Sequence, residues 1–214
     1  MSPSDAVLAF DTSAAHCAAA LLLPGGGSLI RIEDMAKGQA ERLLPLLEEV
    51  LAQAGLTWQA LSALGVGTGP GNFTGVRIAV AAARGLSLSL GIPAIGVTRL
   101  EALAYGLPRP ITVIEDARRD EVYVQRFDRA EAGAASLAPA VAFSVDGPVT
   151  GSGAALIGLP AVIQPVPLVE AIARIAALRI RCGTKTPQPR PAPFYLRGAD
   201  AAPPSDPPPV ILDA

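Results

Sequence analysis

The sequence is poor in the side chains from which metal sites and disulfide frameworks are built. It has one histidine, His16, and two cysteines, Cys17 and Cys182, in 214 residues. A single histidine inside a strand pattern is more typical of a structural residue than of a metal ligand, and no predicted helix carries two ligands at i, i+4. Two distant cysteines indicate small buried hydrophobes in a reduced compartment. We therefore expect no bound metal and a cytoplasmic location.

Charge and long apolar runs are also scarce. The formal charge of -2 argues against a nucleic-acid surface that covers the chain, since such binding relies on Lys and Arg neutralising phosphates. Apolar runs such as Ala18–Leu23 are far shorter than the ~20 residues of a membrane-spanning helix. The opening residues have neither a basic start nor a small-residue cleavage site, which argues against secretion. We predict a soluble globular protein with no membrane span and at most indirect contact with RNA.

The first half of the chain alternates short apolar runs with helical patterns. Short apolar runs between turn residues predict strands, and apolar residues at three- and four-residue steps predict helices. The predicted strands are Ala6–Phe10, His16–Leu23, Ser28–Ile32, Leu61–Gly67 and Ala94–Val97. The predicted helices are Ala40–Ala54 and Gly75–Leu90.

The second half begins with a helix signal. Thr98 and Glu101 have the spacing of a capping box, which predicts a helix that begins there. Paired strands at Ile111–Glu115 and Glu121–Phe127, a further strand at Leu137–Phe143 and a helix at Leu168–Ile180 are expected to follow. The proline-rich sequence after Cys182 is expected to run extended over the surface.

The stretch "GTGPGNFTGVRIAVAAARG", from Gly67 to Gly85, is glycine-rich and leads into a predicted helix. Glycines before a helix N-terminus can form a cradle for phosphate. The spacing fits neither a Walker P-loop, which needs a lysine, nor the GxGxxG dinucleotide motif, because the glycines here read GxGxGxxxG. The alternative is a sharp strand-to-helix turn with Thr74 as N-cap, and this interpretation is favoured, although the cradle stays open.

The chain offers no assembled catalytic group. Each cysteine lacks a second histidine to act as its base, and Ser13 is not in a GxSxG turn. Asp11 in "FDTS" and Asp116 in "EDARRDEV" follow strands, where carboxylates can hold a metal or order a loop. The favoured alternative is that each carboxylate caps its own turn through a backbone N–H. We therefore predict no catalytic residues.

Taken together, the motifs resemble those of the TsaB (YeaZ) family of bacterial tRNA threonylcarbamoyladenosine biosynthesis proteins. The similar segments are "LAFDTSAAHCAAALL", "QAERLLPLLEEVL", the glycine-rich stretch, "IEDARRDEVYVQRF" and "PFYLR". Within them, G-P-G-x-F-T-G-x-R is close to a family signature. The resemblance covers most of the chain.

This resemblance implies an α/β, two-lobed, actin-like and Hsp70-like (ASKHA) fold with mixed sheets flanked by helices. The expected lobes are residues 1–97 and 98–182, followed by a proline-rich tail at 183–214. It also implies that phosphate loops have degenerated at Asp11, Thr12, Ser13, Gly69 and Gly71. The implied role is a non-catalytic scaffold without a cofactor of its own, although a nucleotide at a subunit junction stays open.

The resemblance further implies partners. These are the transferase subunit TsaD, a TsaE-type ATPase, a second copy of the chain when TsaD is absent, and tRNA through the complex. Both helices of the first half are apolar around much of their circumference, which is typical of buried or interface helices. The predicted interface residues are Leu43, Leu47, Val50, Val76, Ala79, Val80 and Ala83.

One alternative from another class is an actin-fold nucleotide-binding enzyme, a small-molecule kinase or ATPase that uses Asp11 and the glycine loop. Such kinases need phosphate loops in both lobes, and the second lobe offers only "DGPVTGSG". The chain also departs from the family pattern. Gln39 stands where many relatives have histidine, and Asp120 stands where many have glycine. TsaD-type subunits hold a metal through an HxxxH pair, whereas Gln39 and Leu43 occupy this region here.

Overall fold

The computed structural model describes residues 6–142, 145–183 and 189–197, and its first sheet has five strands. The strands are β1 (Ala6–Asp11), β2 (His16–Leu22), β3 (Ser28–Asp34), β4 (Leu61–Gly67) and β5 (Ala94–Val97), in the order β3-β2-β1-β4-β5. β1 to β3 form an antiparallel meander, whereas β4 lies parallel to β1 and β5 parallel to β4. The predicted meander and the two later strands are therefore confirmed.

The second sheet has four strands. They are β6 (Ile111–Arg118), β7 (Glu121–Phe127), β8 (Ser136–Pro139) and β9 (Val149–Thr150), in the order β8-β7-β6-β9. The predicted pairing of β6 with β7 is confirmed, from Ile111 opposite Phe127 to Arg118 opposite Glu121. The strand predicted at Leu137–Phe143 is shorter, because the chain turns into a 3₁₀ helix after Pro139. Phe143 lies outside the described residues.

In the part of the chain that the structure describes, four α-helices flank the sheets: α1 (Gln39–Gln53), α2 (Phe73–Leu90), α3 (Arg99–Leu103) and α4 (Leu168–Arg181). The hydroxyl of Thr98 accepts a hydrogen bond from the N–H of Glu101 at 3.1 Å, so the predicted start of α3 is confirmed. Together with the two sheets, these helices give the mixed α/β architecture that the family resemblance implies.

The first sheet is covered on both faces because successive side chains of a strand point to opposite sides. Leu8 and Phe10 of β1 pack with α1 and α2, while Val7 and Ala9 pack with α4. The lobe division at residue 98 stays a prediction. However, α4 packs on the first sheet rather than with the second, so a division by sheets would place this helix with the N-terminal lobe.

Helix α2 is long and apolar enough to cross a membrane by length and composition, with a mean hydropathy of 1.2 over 18 residues. This was not expected from the short apolar runs, because Arg77 and Arg84 interrupt the pattern. Val76, Ala79, Val80 and Ala83 nevertheless pack into the core beside the first sheet. The same composition therefore serves here to cover a sheet.

Residues 189–197 form a strap that touches both sheets. The N–H of Phe194 donates to the carbonyl of Thr68 at 2.8 Å, beyond the end of β4. Arg197 donates to the carbonyl of Ala117 at 2.9 Å and forms an ion pair with Glu121 in the second sheet. The tail was expected to lie on the surface, yet Pro191 is buried. Residues 184–188 and 198–214 of the predicted tail lie outside the described part of the chain.

Candidate functional site

The "FDTS" corner lies where β1 ends and the chain turns toward β2. Asp11 is 1% exposed, and its Oδ2 lies 2.9 Å from the hydroxyl of Ser13 and 2.8 Å from Nε2 of His16. A buried carboxylate needs such partners because it has lost its hydration. We expected Asp11 to cap its turn through a backbone N–H, but its partners are side chains. His16 therefore has a structural role as a partner of buried Asp11.

The glycine loop packs directly against this corner. At three glycines of the loop, an added Cβ atom would lie closer than 3.0 Å to an atom of the corner. At such a distance either the loop or the corner must shift. The pairs are Gly67 with Oδ1 of Asp11, Gly71 with the carbonyl of Ser13, and Gly75 with the carbonyl of Thr12. The chain's own backbone and side chains thus lie against the loop. This is the packing that the turn interpretation requires.

The N-cap of α2 differs from the prediction. Asn72, not Thr74, is the N-cap, and its Oδ1 accepts a hydrogen bond from the N–H of Gly75 at 2.9 Å. Asparagine is as good a capping residue as threonine, and its position three residues before Gly75 is the sequence signal that was missed. The hydroxyl of Thr12 also donates to the carbonyl of Gly75 at 2.6 Å, which ties the helix start to the corner.

The residues predicted to form the partner interface are all buried in the chain's own core. None is more than 2% exposed: Leu43, Leu47, Val50, Val76, Ala79, Val80 and Ala83. They pack with β1, β2 and β4 on the first sheet. As placed, these side chains cannot touch a partner, so the predicted contact face must be corrected. The physical reason is that both faces of α2 carry small or apolar residues, and the more branched one lies on the sheet.

The opposite side of the two helices is exposed and mixes charged residues, such as Arg77 and Arg84 of α2, with small and apolar ones. On α2, Ala81 and Gly85 are exposed and Leu88 is 86% exposed, while on α1 Leu44 is 46% exposed. A Cβ atom built at Gly85 would meet nothing within 4 Å. We call these four residues the outer face. Within the described residues, nothing in the chain covers the backbone of α2 at Gly85.

A cleft of about 570 Å³ lies between the corner and the second sheet. Glu115, 6% exposed, accepts from Arg99 at 2.6 Å and from the N–H of Ser152 at 3.0 Å, so the charge of this buried carboxylate is compensated. Asp116 accepts from the N–H of Arg118 at 2.6 Å, which confirms the predicted role of Asp116 as a turn cap. Gln39 lines the same cleft and donates to the carbonyl of Met35 at 3.1 Å.

Arg42 of α1 is paired with two glutamates. Arg42 donates to Glu33 and Glu49 at 2.6–2.7 Å, and these hydrogen bonds hold the pKa of both carboxyl groups below its usual range. Cys17 lies in the core, where burial and then the charge of Glu33 raise the pKa of its thiol to about 11. In the described residues, no group of three or more His, Cys, Asp or Glu side chains is arranged to hold a metal ion.

Residues 30–198 match the family described as "TsaD: tRNA N6-adenosine threonylcarbamoyltransferase". The chain is 36% identical over 132 residues to the tRNA threonylcarbamoyladenosine biosynthesis protein TsaB of Escherichia coli, a match that covers 59% of this chain and 57% of that protein. It is also 37% identical over 176 residues to an uncharacterised protein of Mycobacterium tuberculosis, covering 81% and 82% of the two chains. The similarity therefore extends over most of the described fold.

Solved structures share this architecture. YeaZ from Pseudomonas aeruginosa is 30% identical and superposes with a TM-score of 0.73, covering 89% of this chain and 99% of that one. Component A of the Acidaminococcus fermentans (R)-2-hydroxyglutaryl-CoA dehydratase has a TM-score of 0.56 at 10% identity, covering 82% and 99% of the two chains. The second likeness concerns the fold alone. It agrees with the actin-like fold that the sequence predicts.

Proposed function

The chain belongs to the TsaB (YeaZ) family, and from this premise we propose that it is a non-catalytic subunit in the biosynthesis of threonylcarbamoyladenosine in tRNA. Its proposed task is to bind the transferase subunit TsaD and support threonylcarbamoyl transfer to the adenosine 3′ of the anticodon. The further proposed partners are a TsaE-type ATPase and, in the absence of TsaD, a second copy of the chain. Contact with tRNA is proposed to be indirect, through the complex.

The observation that carries this proposal is the uncovered backbone of α2 at Gly85. A glycine in the interior of an exposed helix costs about 1 kcal/mol relative to alanine, and no neighbour in the described chain requires it here. Small residues at Ala81 and Gly85 allow another helix to approach closely, Leu88 adds exposed apolar area on α2, and Leu44 adds it on α1. An exposed apolar surface of this kind marks an interaction site. We therefore place the TsaD contact on the outer face.

One set of contacts supports the absence of intrinsic catalysis. Asp11 accepts from the hydroxyl of Ser13 and lies 2.8 Å from Nε2 of His16. Glu115, which lines the cleft, accepts from Arg99 and from the N–H of Ser152. Because the chain's own groups engage both carboxylates, neither is left to act as a general base, and this favours the scaffold over a kinase or ATPase.

The test adds bulk on the outer face. Gly85→Leu should leave the protein folded, because the new side chain meets nothing within the chain, but it should block close approach of a partner helix. Steric conflict at a packed interface costs about 1–3 kcal/mol, which predicts roughly 5- to 150-fold weaker binding to TsaD in calorimetry. Threonylcarbamoyl transfer by the reconstituted complex should fall in parallel.

The matched control is Gly27→Leu, which adds the same side chain at an open glycine in the turn between β2 and β3. This variant should bind TsaD and support modification like the wild type. If Gly85→Leu also binds TsaD and supports modification normally, the contact does not lie on the outer face. Modification of tRNA by the purified chain without TsaD would instead contradict the non-catalytic role.

A further inference from the structure

A second cavity lies on the second sheet, apart from the cleft and the outer face. It has a volume of about 510 Å³, within the range of small-molecule sites, and lies between the start of α3, strand β7 and the strap. Its apolar wall includes the rings of Phe127 and Phe194 and the small residues at 132–135, and its polar wall includes Glu101, Arg109 and Arg179. The cavity therefore combines an apolar wall with two cations.

Arg109 is the unusual member of this group. Its guanidinium carbon lies 4.8 Å from the centroid of the Phe127 ring, which holds it by a cation–π contact. Nη1 of Arg109 is buried, and within residues 6–142, 145–183 and 189–197 it has no hydrogen-bond acceptor. A guanidinium stays charged at neutral pH, and an unsatisfied buried donor on it costs free energy. Arg109 also lines the cavity, and no ion pair with it is found among the described residues, so the cavity wall carries a positive charge that Arg109 does not share with a carboxylate.

The chain's own carboxylate does not meet this need. Glu101 accepts from Nη2 of Arg179 at 2.5 Å, and Nη1 of Arg179 donates to the carbonyl of Gly96 at 2.6 Å. Glu101 is therefore engaged, and the cavity wall carries two arginines against one carboxylate. The local charge favours an anion although the whole chain has a formal charge of -2.

We propose that this cavity binds a carboxylate that carries an apolar group, with the carboxylate pairing with the guanidinium of Arg109. Guanidinium binds planar carboxylates well, and Phe194 with the small residues at 132–135 offers an apolar surface for the rest of the ligand. The carboxylate can belong to a free organic acid or to a partner protein. The proposal does not rest on the proposed function, because its first test uses the chain alone.

The test is an NMR titration of the full chain with phenylacetate, acetate and the uncharged phenylacetamide, at constant ionic strength. Phenylacetate should give saturable shifts at Phe127 and residues 132–135. Its affinity should exceed that of acetate by about tenfold, since it buries a ring. It should exceed that of phenylacetamide by at least about tenfold, since the amide does not pair with the guanidinium.

Arg109→Gln should weaken phenylacetate binding by at least about tenfold. Arg31→Gln, which removes the same charge from an exposed side chain of β3, should leave the binding unchanged. Wild-type protein without saturable shifts at the cavity overturns the proposal even if Arg109→Gln fails to fold. Equal binding of phenylacetamide, or unchanged binding by folded Arg109→Gln, also overturns it.

A second titration in the presence of TsaD identifies the source of the carboxylate. If the phenylacetate shifts persist in the complex, the site takes a free acid. If TsaD displaces phenylacetate, and Arg109→Gln weakens the complex, the carboxylate belongs to the partner protein. Both results require the saturable binding of the first experiment.

Discussion

Helix α2 carries two glycines at which the same substitution by alanine should change folding stability in opposite directions. At Gly75 a Cβ atom would lie well inside 3.0 Å of the carbonyl oxygen of Thr12, which is backbone and cannot rotate away. At Gly85 a Cβ atom would meet nothing within 4 Å. Both positions lie within α2, so alanine has the better intrinsic propensity at each.

The expected magnitudes follow from these two environments. Gly85→Ala should raise the free energy of unfolding by about 1 kcal/mol, the propensity difference at an exposed helix position. Gly75→Ala forces the helix start away from the corner, at a cost of about 1–3 kcal/mol. This shift also threatens the hydrogen bond from Thr12 to the carbonyl of Gly75, which contributes about 1 kcal/mol. The two variants should therefore differ by roughly 2–4 kcal/mol.

Urea denaturation followed by circular dichroism measures both free energies, and thermal unfolding gives an independent check. A change of 1 kcal/mol should move the midpoint temperature by about 2–4 °C in a chain of this size. Gly85→Ala serves as the control for Gly75→Ala because the chemical change and the helix are the same. If Gly75→Ala is as stable as the wild type, the described contact between loop and corner is wrong. If Gly85→Ala is less stable than the wild type, the open surroundings described for Gly85 are wrong.

Three further predictions concern the hairpin of β6 and β7, the ion pairs of Arg42 and the two cysteine thiols. Asp120→Gly should raise the free energy of unfolding by about 1 kcal/mol, and with it the urea midpoint, because Asp120 has a φ of 58° that glycine adopts without strain. Arg42→Met should lower the free energy of unfolding above the ordinary glutamate pKa of about 4.3, but not in strong acid. Arg42 lowers the pKa of Glu33 and of Glu49 in the folded chain, and the stability that this gives is lost as the pH falls. A difference between variant and wild type that persists in acid would contradict this. Iodoacetamide at neutral pH should label exposed Cys182 and leave buried Cys17 unmodified in the native chain, as mass spectrometry would show.

The elements of the fold could be predicted because their signals are local. The short apolar run of β1, the three- and four-residue steps in α1 and the Thr98 capping pattern each lie within a few residues, and each is found at the predicted place. The sequence also predicts α4 as a helix, but it does not predict that this helix packs on the first sheet. Which sheet a helix covers depends on contacts between distant parts of the chain, and its periodicity does not encode them.

The face of α2 could not be predicted for a different reason. The helix has small residues on both sides, Ala79 and Ala83 toward the sheet and Ala81 and Gly85 away from it. A pattern with little amphipathic contrast indicates that two surfaces are apolar but not which one meets the chain's own core. Asn72 was missed because Thr74, also a good capping residue, lies two positions further on.

The strap also bears on the order in which the protein folds during synthesis. Arg84 donates to the carbonyl of Pro191 at 2.7 Å, a contact between residues 107 positions apart. The strands and helices of the first sheet, through α4, leave the ribosome before residues 189–197 do, and N-terminal parts of a chain generally fold first. The hydrogen bond from the N–H of Phe194 to the carbonyl of Thr68 therefore forms after the first sheet has formed. The glycine loop therefore gains its contact with Phe194 only after residues 189–197 have been synthesised.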